Sequence, residues 1–199
     1  MDIELAKLSM ADSHTLLTEV LSPRLVTLVS TIGPDDVLNV APFSSVGIIC
    51  YKPSIIYVGI SSRQGQKKDT LQNIEFSGDF VISIVDEALA EPMNKTATEL
   101  PNDVDEFQVA GLTAIASDRV KSPRVKESPI SLECKMMQIL QFGEVPDIRN
   151  VVFGEVLLVH IKDDLYSEGK VSKFEIKAIC HFGGGFYCRT RDVFELKRL

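Results

Sequence analysis

Two short stretches carry side chains whose types and spacing could bind a small ligand. The first covers residues 39–45 and reads NVAPFSS. Asn39 offers two N–H donors and a carbonyl acceptor, and Ser44 and Ser45 each offer a rotatable hydroxyl. Pro42 removes a backbone donor and fixes its own backbone angle, which stiffens the stretch. A rigid polar rim of this kind suits the edge of a flat heteroaromatic ligand in which carbonyl groups and ring nitrogens alternate.

The second stretch, residues 61–74, reads SSRQGQKKDTLQNI and gathers positive charge in a chain that is acidic overall. Its cations precede a helix that Asp69 or Thr70 could begin, so free backbone amides would point toward the same place. This combination is typical of an anion site, and a terminal phosphate is the usual occupant. The alternative is a solvated basic loop followed by an ordinary aspartate cap. The cations are Arg63, Lys67 and Lys68.

Composition and charge indicate the class of protein to which these two stretches belong. The 199 residues are 45% hydrophobic and 25% charged, which allows a sizeable core and predicts one domain over 1–199. The formal charge of −7, from 21 Lys and Arg against 28 Asp and Glu, would repel nucleic acid. No apolar run approaches the roughly 20 residues that cross a bilayer, and the N-terminus lacks a signal-peptide pattern. We therefore expect a cytoplasmic protein without a nucleic-acid or membrane partner.

The cysteines and histidines are dispersed rather than spaced as metal ligands. Four cysteines stand singly in apolar segments, with no C-x-x-C pair. We predict that they are reduced and lie in the core. The three histidines are equally dispersed, so the sequence gives a metal site little support. The cysteines are Cys50, Cys134, Cys180 and Cys188.

The elements that position the two stretches are mostly strands. Residues 24–32 and 37–49 flank a GPDD turn, which predicts a hairpin, and 54–61 predicts a third strand. One helix is predicted at 9–20 and another ends near Gly78. Further predicted segments are strands at 79–85, 131–140, 150–162 and 174–182, a helix limited by Pro92 at 86–97, and an exposed connection at 118–129.

The arrangement of these strands indicates the fold class. They follow one another in pairs rather than alternating with helices, which favours an antiparallel barrel or sandwich with added helices. The G-x-G-x-x-G fingerprint of a dinucleotide-binding fold is missing, because HFGGGFY follows a late strand and opens no helix. Apolar and polar residues alternate in 130–136, which predicts a half-buried strand. Its apolar face would hold Ile130, Leu132, Cys134 and Met136.

A series of short motifs follows in a fixed order. Residues 23–61 hold an apolar strand, a turn, N-x-A-P-x-S and a second apolar strand. K-D-T at 68–70, D-E-F at 105–107 and A-G-L-T at 110–113 come next, followed by SPRVKESPISLECKM and FGEVLLVHI. In this order the chain resembles the flavin reductase-like, FMN-binding split-barrel family over 23–187.

The resemblance implies a mainly β fold with short helices (α+β), an antiparallel Greek-key split β-barrel at 23–187. Residues 1–22 would form an N-terminal helical extension and 188–199 a C-terminal tail. The resemblance also implies FMN as cofactor, NAD(P)H as hydride donor, and a homodimer that builds the flavin cleft at its interface. Electrons would pass to free flavin, a partner protein or an organic acceptor.

The resemblance assigns the two stretches to the two ends of FMN. The ring edge would contact Asn39, Ala41, Pro42, Ser44 and Ser45. The phosphate would be held by Ser61, Arg63, Lys68 and Thr70, with Asp69 between the last two. Additional candidates are Thr31, at the end of the first strand, and Asn94 and Lys95, where relatives often bring residues over the flavin. No catalytic side chain is expected, because the flavin itself accepts the hydride.

Several alternatives stay open. One is an FMN-binding electron carrier, flavoredoxin-like, that is reduced by a redox partner protein and has no nicotinamide turnover of its own. Another is a barrel that binds haem or no ligand, although no residue is convincingly placed as an axial haem ligand. Asn94 and Lys95 could equally lie on a solvated helix end. His181, with the GGGFY turn, could approach the ring from the C-terminal part, but a position at the surface or at a partner interface is the default expectation. Asp105 and Glu106 are predicted to be structural.

Overall fold

The computed structural model describes residues 1–101 and 103–197, in which strands predominate and helices are short. The α-helices are α1 (Met10–Val20), α2 (Asp69–Ser77), α3 (Ala90–Lys95) and α4 (Glu106–Ala110). Short 3₁₀ helices cover Leu5–Lys7, Pro34–Asp36, Glu87–Leu89 and Asp163–Leu165. The first six strands are β1 (Arg24–Leu25), β2 (Thr27–Ile32), β3 (Leu38–Phe43), β4 (Val46–Tyr51), β5 (Ser54–Ser61) and β6 (Asp79–Ile84). The later strands are β7 (Ala114–Ile115), β8 (Arg124–Val125), β9 (Ile130–Phe142), β10 (Arg149–Ile161), β11 (Tyr166–Ser167), β12 (Lys170–Val171), β13 (Ile179–Gly183) and β14 (Phe186–Arg189).

Seven antiparallel strands form the main sheet, in the order β3-β2-β6-β9-β10-β5-β4. The two edge strands, β3 and β4, are consecutive in the chain, so the sheet must curl until its edges approach each other. The Gly59 amide on β5 donates to the Ser45 carbonyl at 2.7 Å across this corner. No ladder joins β3 to β4 in the two described ranges, and the barrel therefore stays split. The predicted mainly β, antiparallel architecture is confirmed.

The predicted strand at 37–49 is two strands, separated by Ser44 and Ser45. Pro42 has no amide to donate to a continuing ladder, and the small serines allow the chain to turn away from β2. Gly59 permits the close approach of this corner, because a Cβ there would lie 2.6 Å from Ser45 Oγ. Strand propensity predicted one continuous strand because β-branched residues lie on both sides of the two serines.

Two apolar cores lie on opposite faces of β2. Leu28 and Val29 are both fully buried and belong to different cores, because successive side chains of a strand point to opposite faces. The core inside the curled sheet includes Phe80, and α2 closes it with Leu71 and Ile74. The other core packs α3 and α4 against the sheet through Met93, Phe107, Ala110 and Leu112.

Helix α2 begins and ends as the sequence indicates. Leu71 and Ile74 share its buried face, which fixes the direction in which its N-terminus points. Gly78 caps the C-terminus with a left-handed backbone at φ 74°, and its amide donates to the Ile74 carbonyl at 2.9 Å. At the N-terminus, Lys68 is the N-cap and provides no side-chain hydrogen bond.

The connection at 118–129 is not the exposed loop that the sequence predicted. Ser122 and Val125 are almost fully buried. The carboxylate of Asp79 accepts bonds from the Lys121 amide at 3.1 Å and the Ser122 amide at 3.0 Å, with a third from the Ser122 hydroxyl at 2.6 Å. These bonds replace the water that the loop backbone would otherwise need, so the segment can cover β6 and β9.

Glu133 anchors the same segment and corrects the prediction of a half-buried β9. Its side chain is fully buried, although the alternation placed it on a solvent face. It accepts bonds from the Asp118 amide at 2.8 Å, the Arg119 amide at 2.6 Å and His160 Nε2 at 2.6 Å. Burial alone would raise the pKa of Glu133, but these bonds together hold it below its ordinary value. Asp118, Glu133 and His160 form a compact group, and its buried carboxylate is already occupied by protein donors.

A small sheet of β1, β13 and β14 packs beside the split barrel. The predicted strand at 174–182 begins only at Ile179, and β14 was not predicted because three glycines precede it. Cys180 lies directly opposite Cys188, and His181 opposite Tyr187. All four cysteines are free thiols, but only Cys134 is fully buried, so placing all of them in the core was wrong.

Helix α1 precedes this sheet, and the Ser9 hydroxyl caps it by accepting from the Asp12 amide at 3.1 Å. None of its residues is buried. Within the described ranges, no helix is both long enough and apolar enough to span a membrane.

Candidate functional site

A cleft of about 300 Å³ lies where the outer edge of β3 meets the N-terminus of α2. The loop before α2 forms one wall, and the segment after α3 forms the other. The lining residues are Asn39, Ala41, Pro42, Arg63, Gln66, Lys67, Lys68, Asp69, Thr70, Gln72, Thr96, Ala97, Thr98, Leu100 and Glu106. The two candidate stretches of the sequence therefore meet at one place, although fifteen residues separate them.

A hydrogen-bonded cluster holds β3 against α2 at the base of the cleft. Asn39 Nδ2 donates to Thr31 Oγ1 at 3.1 Å and to Thr70 Oγ1 at 3.2 Å. Asn73 Nδ2 also donates to Thr31 Oγ1, at 3.1 Å. All four side chains are buried or nearly so. Because both N–H groups of Asn39 are used, its amide is fixed in orientation and only its carbonyl oxygen is left for a ligand.

One end of the cleft is cationic. Arg63 pairs with Glu99 at 2.8 Å, and Lys67 pairs with Glu75 at 2.7 Å. Lys68 has no carboxylate or other acceptor within the described part of the chain, and its Nζ lies 5.7 Å from the centre of the Phe43 ring. Burial, together with the nearby Arg63 and Arg149 guanidinium groups, lowers the pKa of Lys68. An anion beside Lys68 would supply the missing counter-charge.

Backbone donors point to the same end. The amides of Asp69 and Thr70, at the first turn of α2, have no acceptor among the residues that the structure describes. Orphan amides at a helix N-terminus carry partial positive charge and attract anions. The N-cap Lys68 does not satisfy them, since its side chain has no acceptor atom. The first turn of α2 and Lys68 thus form one positively charged surface.

Two carboxyl groups, those of Asp69 and Glu106, also line the cleft. Burial raises the pKa of Asp69, against the lowering effect of Arg63. Burial also raises the pKa of Glu106, with smaller contributions from the Asp69 and Asp105 charges, although its own amide and the Val40 amide lower it. Glu106 Oε2 accepts from the Val40 amide at 3.3 Å, so it contacts the outer edge of β3. The cleft therefore contains two partly buried acids in addition to its cations.

The cleft brings together part of the residue set that the sequence predicted. It contains Asn39, Ala41, Pro42, Arg63, Lys68, Asp69 and Thr70. The remaining candidates, which do not line it, are Thr31, Ser44, Ser45, Ser61, Asn94 and Lys95.

The candidates outside the cleft have identifiable positions. Thr31 lies behind Asn39 and positions it. Ser44 lines a neighbouring cavity. Asn94 and Lys95 are exposed at the end of α3, and the cleft is lined instead by the next three residues, 96–98. The prediction that each candidate contacts a flavin stays a prediction.

Sequence reasoning missed two charged residues near the cleft. Glu106 was assigned a structural role in the D-E-F motif, and it does follow the N-cap Asp105, but its side chain also lines the cleft. Arg149 was not considered, because the VPDIRN segment gives no signal of function. Only the pairing of β10 with β5, which places Arg149 opposite Ser61, brings it near Lys68.

Comparison with known proteins decides the family. The family described as flavin reductase like domain matches residues 21–187 of the chain. The chain belongs to this family. An uncharacterized protein of Aquifex aeolicus is 35% identical to it, over 94% of this chain and 95% of its own length. Membership supports a flavin as the cofactor and oxidoreductase chemistry in general.

Solved structures of the same family share the fold closely. Nitrilotriacetate monooxygenase component B from Bacillus cereus has a TM-score of 0.95 and 32% identity, covering 98% of both chains. The 2-nitrobenzoate 2-nitroreductase of Pseudomonas fluorescens has a TM-score of 0.91 and 27% identity, covering 100% of this chain and 96% of that chain. A flavin reductase with a split barrel domain from Shewanella frigidimarina matches at a TM-score of 0.85 and 20% identity, with full coverage of both chains. The predicted split barrel and the predicted family are confirmed.

Proposed function

We propose that the cleft binds FMN and that the protein is an NAD(P)H-dependent oxidoreductase of the flavin reductase type. The observation that carries the proposal is Lys68. It is a partly buried ammonium group with no carboxylate partner among the described residues, and it is adjacent to the Asp69 and Thr70 amides, which have no acceptor there either. A phosphate ester fits this group of donors, because it can accept from an ammonium and two amides together.

The other end of the cleft fits a flat ring. Ala41 and Pro42 present a rigid surface along the outer edge of β3, and Asn39 presents a fixed carbonyl oxygen. Glu106 adds an acceptor on the same side. An ordered set of polar groups beside an apolar surface is the usual composition of a cofactor pocket. FMN bound here would accept hydride from NAD(P)H and return electrons to an acceptor.

The protein's own groups have binding and positioning roles in this proposal. Lys68 and the first turn of α2 hold the anionic end, and Thr31 with Thr70 keeps the Asn39 amide in place. Neither of the acids needs to transfer a proton for hydride transfer to occur, and the absence of a catalytic side chain stays a prediction. The relatives named for a monooxygenase component and a nitroreductase support redox chemistry in this fold.

We also propose that two chains associate to complete the site. A cleft of about 300 Å³ is at the small end of the range for ligand pockets, so one chain would leave much of a flavin exposed. The edge strand β4 carries exposed apolar side chains close in sequence to the cleft residues of β3. Ile48 is 64% exposed, Ile49 54% and Tyr51 83%. An unpaired edge with apolar side chains is a natural association surface.

The absorption spectrum of the protein purified without added flavin tests the proposal. We expect two flavin bands, and their loss when NADH or NADPH is added without oxygen. Bleaching only with dithionite would contradict a reductase and favour the flavoredoxin-like carrier. A colourless protein that takes up no added FMN would overturn the cofactor assignment. The expected cytoplasmic location stays a prediction.

A further inference from the structure

A second cavity, of about 150 Å³, lies between the β3–β4 corner and the hairpin of β13 and β14. Its lining residues are Val26, Pro42, Phe43, Ser44, Met93, His181 and Tyr187. Pro42 also lines the main cleft, so the two spaces lie on either side of one residue. A dry cavity of about this size holds one benzene ring, so the space fits a single six-membered ring.

A partly buried guanidinium without a counter-charge lies beside this cavity. Arg24 donates to the Thr18 carbonyl at 2.6 Å, to His181 Nδ1 at 3.1 Å and, over a longer 3.5 Å, to Ser44 Oγ. All three acceptors are neutral, and no carboxylate within the described ranges pairs with Arg24. A guanidinium removed from water normally has an anion or several strong acceptors around its edge, where its N–H groups point. Two of its partners, His181 and Ser44, line the cavity.

His181 is neutral in this arrangement. Its Nε2 lies 2.9 Å from the Gly184 carbonyl and must donate, because a carbonyl only accepts. Its Nδ1 must accept, because Arg24 only donates. The guanidinium is therefore the positive charge next to the cavity, bonded to two of its lining residues, and the imidazole is fixed as an aromatic wall. Tyr187 extends that wall, with its ring centre 5.3 Å from that of His181.

Ser44 provides the remaining polar donor. Its oxygen accepts from Arg24, and its own hydroxyl proton has no acceptor in the part of the chain described by the structure. None of the lining residues is acidic. The cavity thus combines an apolar floor of Phe43 and Met93, an aromatic wall, a hydroxyl donor and a nearby cation.

We propose that this cavity binds a monocyclic aromatic carboxylate as the second ligand of the flavin site. The aromatic ring packs against Pro42, Phe43 and Met93, and the carboxylate lies on the Ser44 side, where it accepts from the Ser44 hydroxyl and is attracted by Arg24. The proposal rests on FMN binding in the adjoining cleft, since Pro42 is what places this ligand next to the flavin.

Fluorine NMR with two matched probes tests the charge preference. The probes are 4-fluorobenzoate and the uncharged 4-fluorobenzamide, which has nearly the same shape and carries the carboxamide group found in nicotinamide. We expect the FMN-loaded protein to bind the benzoate at least about tenfold more tightly, the smaller end of what a hydrogen bond to a charged group contributes. Equal binding, or tighter binding of the amide, overturns the proposal.

Two variants locate the binding. Arg24→Gln should abolish the preference for the anion, and Arg24→Lys should keep part of it. Arg189→Gln is the matched control, because Arg189 lies in the same three-stranded sheet as Arg24 but pairs with Glu87. If Arg24→Gln is poorly folded, Ser44→Ala removes the hydroxyl donor and leaves the Arg24 bonds to Thr18 and His181 intact. A preference that survives both Arg24→Gln and Ser44→Ala but is lost in Lys68→Ala places the anion in the main cleft and overturns the proposal.

The same measurement on flavin-free protein separates this proposal from the proposed function. Absorbance shows whether the protein takes up FMN. A failure to do so refutes the cofactor assignment but not the binding of benzoate. The benzoate preference is read from fluorine line width and needs no flavin. If both ligands bind, saturating benzoate should shift the flavin absorption bands, and unchanged bands would overturn the placement beside the flavin.

Discussion

Lys68 is the residue whose charge the proposed phosphate site depends on. Lys68→Ala removes an ammonium that has no acceptor in the described ranges of the chain, so we expect FMN affinity to fall by about 1.5–3 kcal/mol, or roughly ten- to hundredfold. Quenching of flavin fluorescence on binding measures this dissociation constant. An unchanged affinity would show that the phosphate lies elsewhere.

Lys67 is the matched control for this change. It is adjacent in sequence and also lines the cleft, but its ammonium pairs with Glu75 and is about half exposed. Exposed ion pairs contribute only about 0–1 kcal/mol, so Lys67→Ala should weaken FMN binding by no more than about fivefold. Equal losses in the two variants would indicate general electrostatic attraction rather than a defined site.

Glu106 gives a prediction of pH dependence. Burial raises its pKa above the ordinary 4.5, so the folded protein binds this proton more tightly than the unfolded chain does. Stability is therefore lost as the pH rises from 4.5 through the raised pKa. Glu106→Gln cannot ionise, and its amide oxygen can still accept from the Val40 amide.

The flavin-free Glu106→Gln protein should therefore melt at a higher temperature than the parent at pH 7. The difference should disappear below about pH 4, where the parent carboxyl is protonated in both states. Glu91→Gln, an exposed change on α3, is the control and should alter the melting temperature at neither pH. Equal melting temperatures for Glu106→Gln and the parent at pH 7 would contradict the raised pKa.

At the scale of elements, the buried carboxylates determine how the 118–129 segment folds. Glu133→Ala leaves two backbone amides and His160 without their acceptor, and each unmatched buried group costs about 1–3 kcal/mol. We expect a loss of about 3 kcal/mol in the free energy of unfolding, measured with urea at pH 7. Glu144→Ala, in the exposed turn between β9 and β10, should change it by less than about 0.5 kcal/mol. A stable Glu133→Ala protein would mean that water replaces the carboxylate.

The sequence predicted elements well where their signals were local. Strand β5 and the Gly78 end of α2 are fixed by β-branched residues and by a left-handed cap, and both were found. The sequence did not predict the burial of residues whose partners lie in another element. Neither the burial of Glu133 nor that of Ser122 follows from alternation, because each depends on a partner in another element.

In the candidate site, too, residues with a local sequence signal were predicted and residues placed by distant pairing were not. Asn39, Lys68 and Thr70 were identified because each lies in a motif of its own stretch, and the fold brings the stretches together. Arg149 could not be identified, since its approach to Lys68 depends on the register between β10 and β5. Residues 96–98, rather than the candidates Asn94 and Lys95, line the cleft after α3.

At the scale of the whole molecule, we expect the edge strand β4 to mediate association. Ile48→Glu with Tyr51→Glu places two charges on the exposed apolar surface and should convert a dimer into a monomer, as measured by light scattering after gel filtration. Phe174→Glu, which charges another exposed aromatic residue outside the main sheet, is the control. A parent protein that stays monomeric at every concentration while binding FMN would contradict the proposed dimer.

The corner at Ser44 and Ser45 joins the cleft edge and the association edge in one continuous segment. Any ligand that orders β3 also restrains the first residues of β4, so cofactor uptake and subunit assembly are expected to be thermodynamically linked. Diluting the protein should then weaken its hold on the flavin, and adding flavin should tighten the association by the same factor. Flavin content would in that case report on how much of the protein is present in the cell.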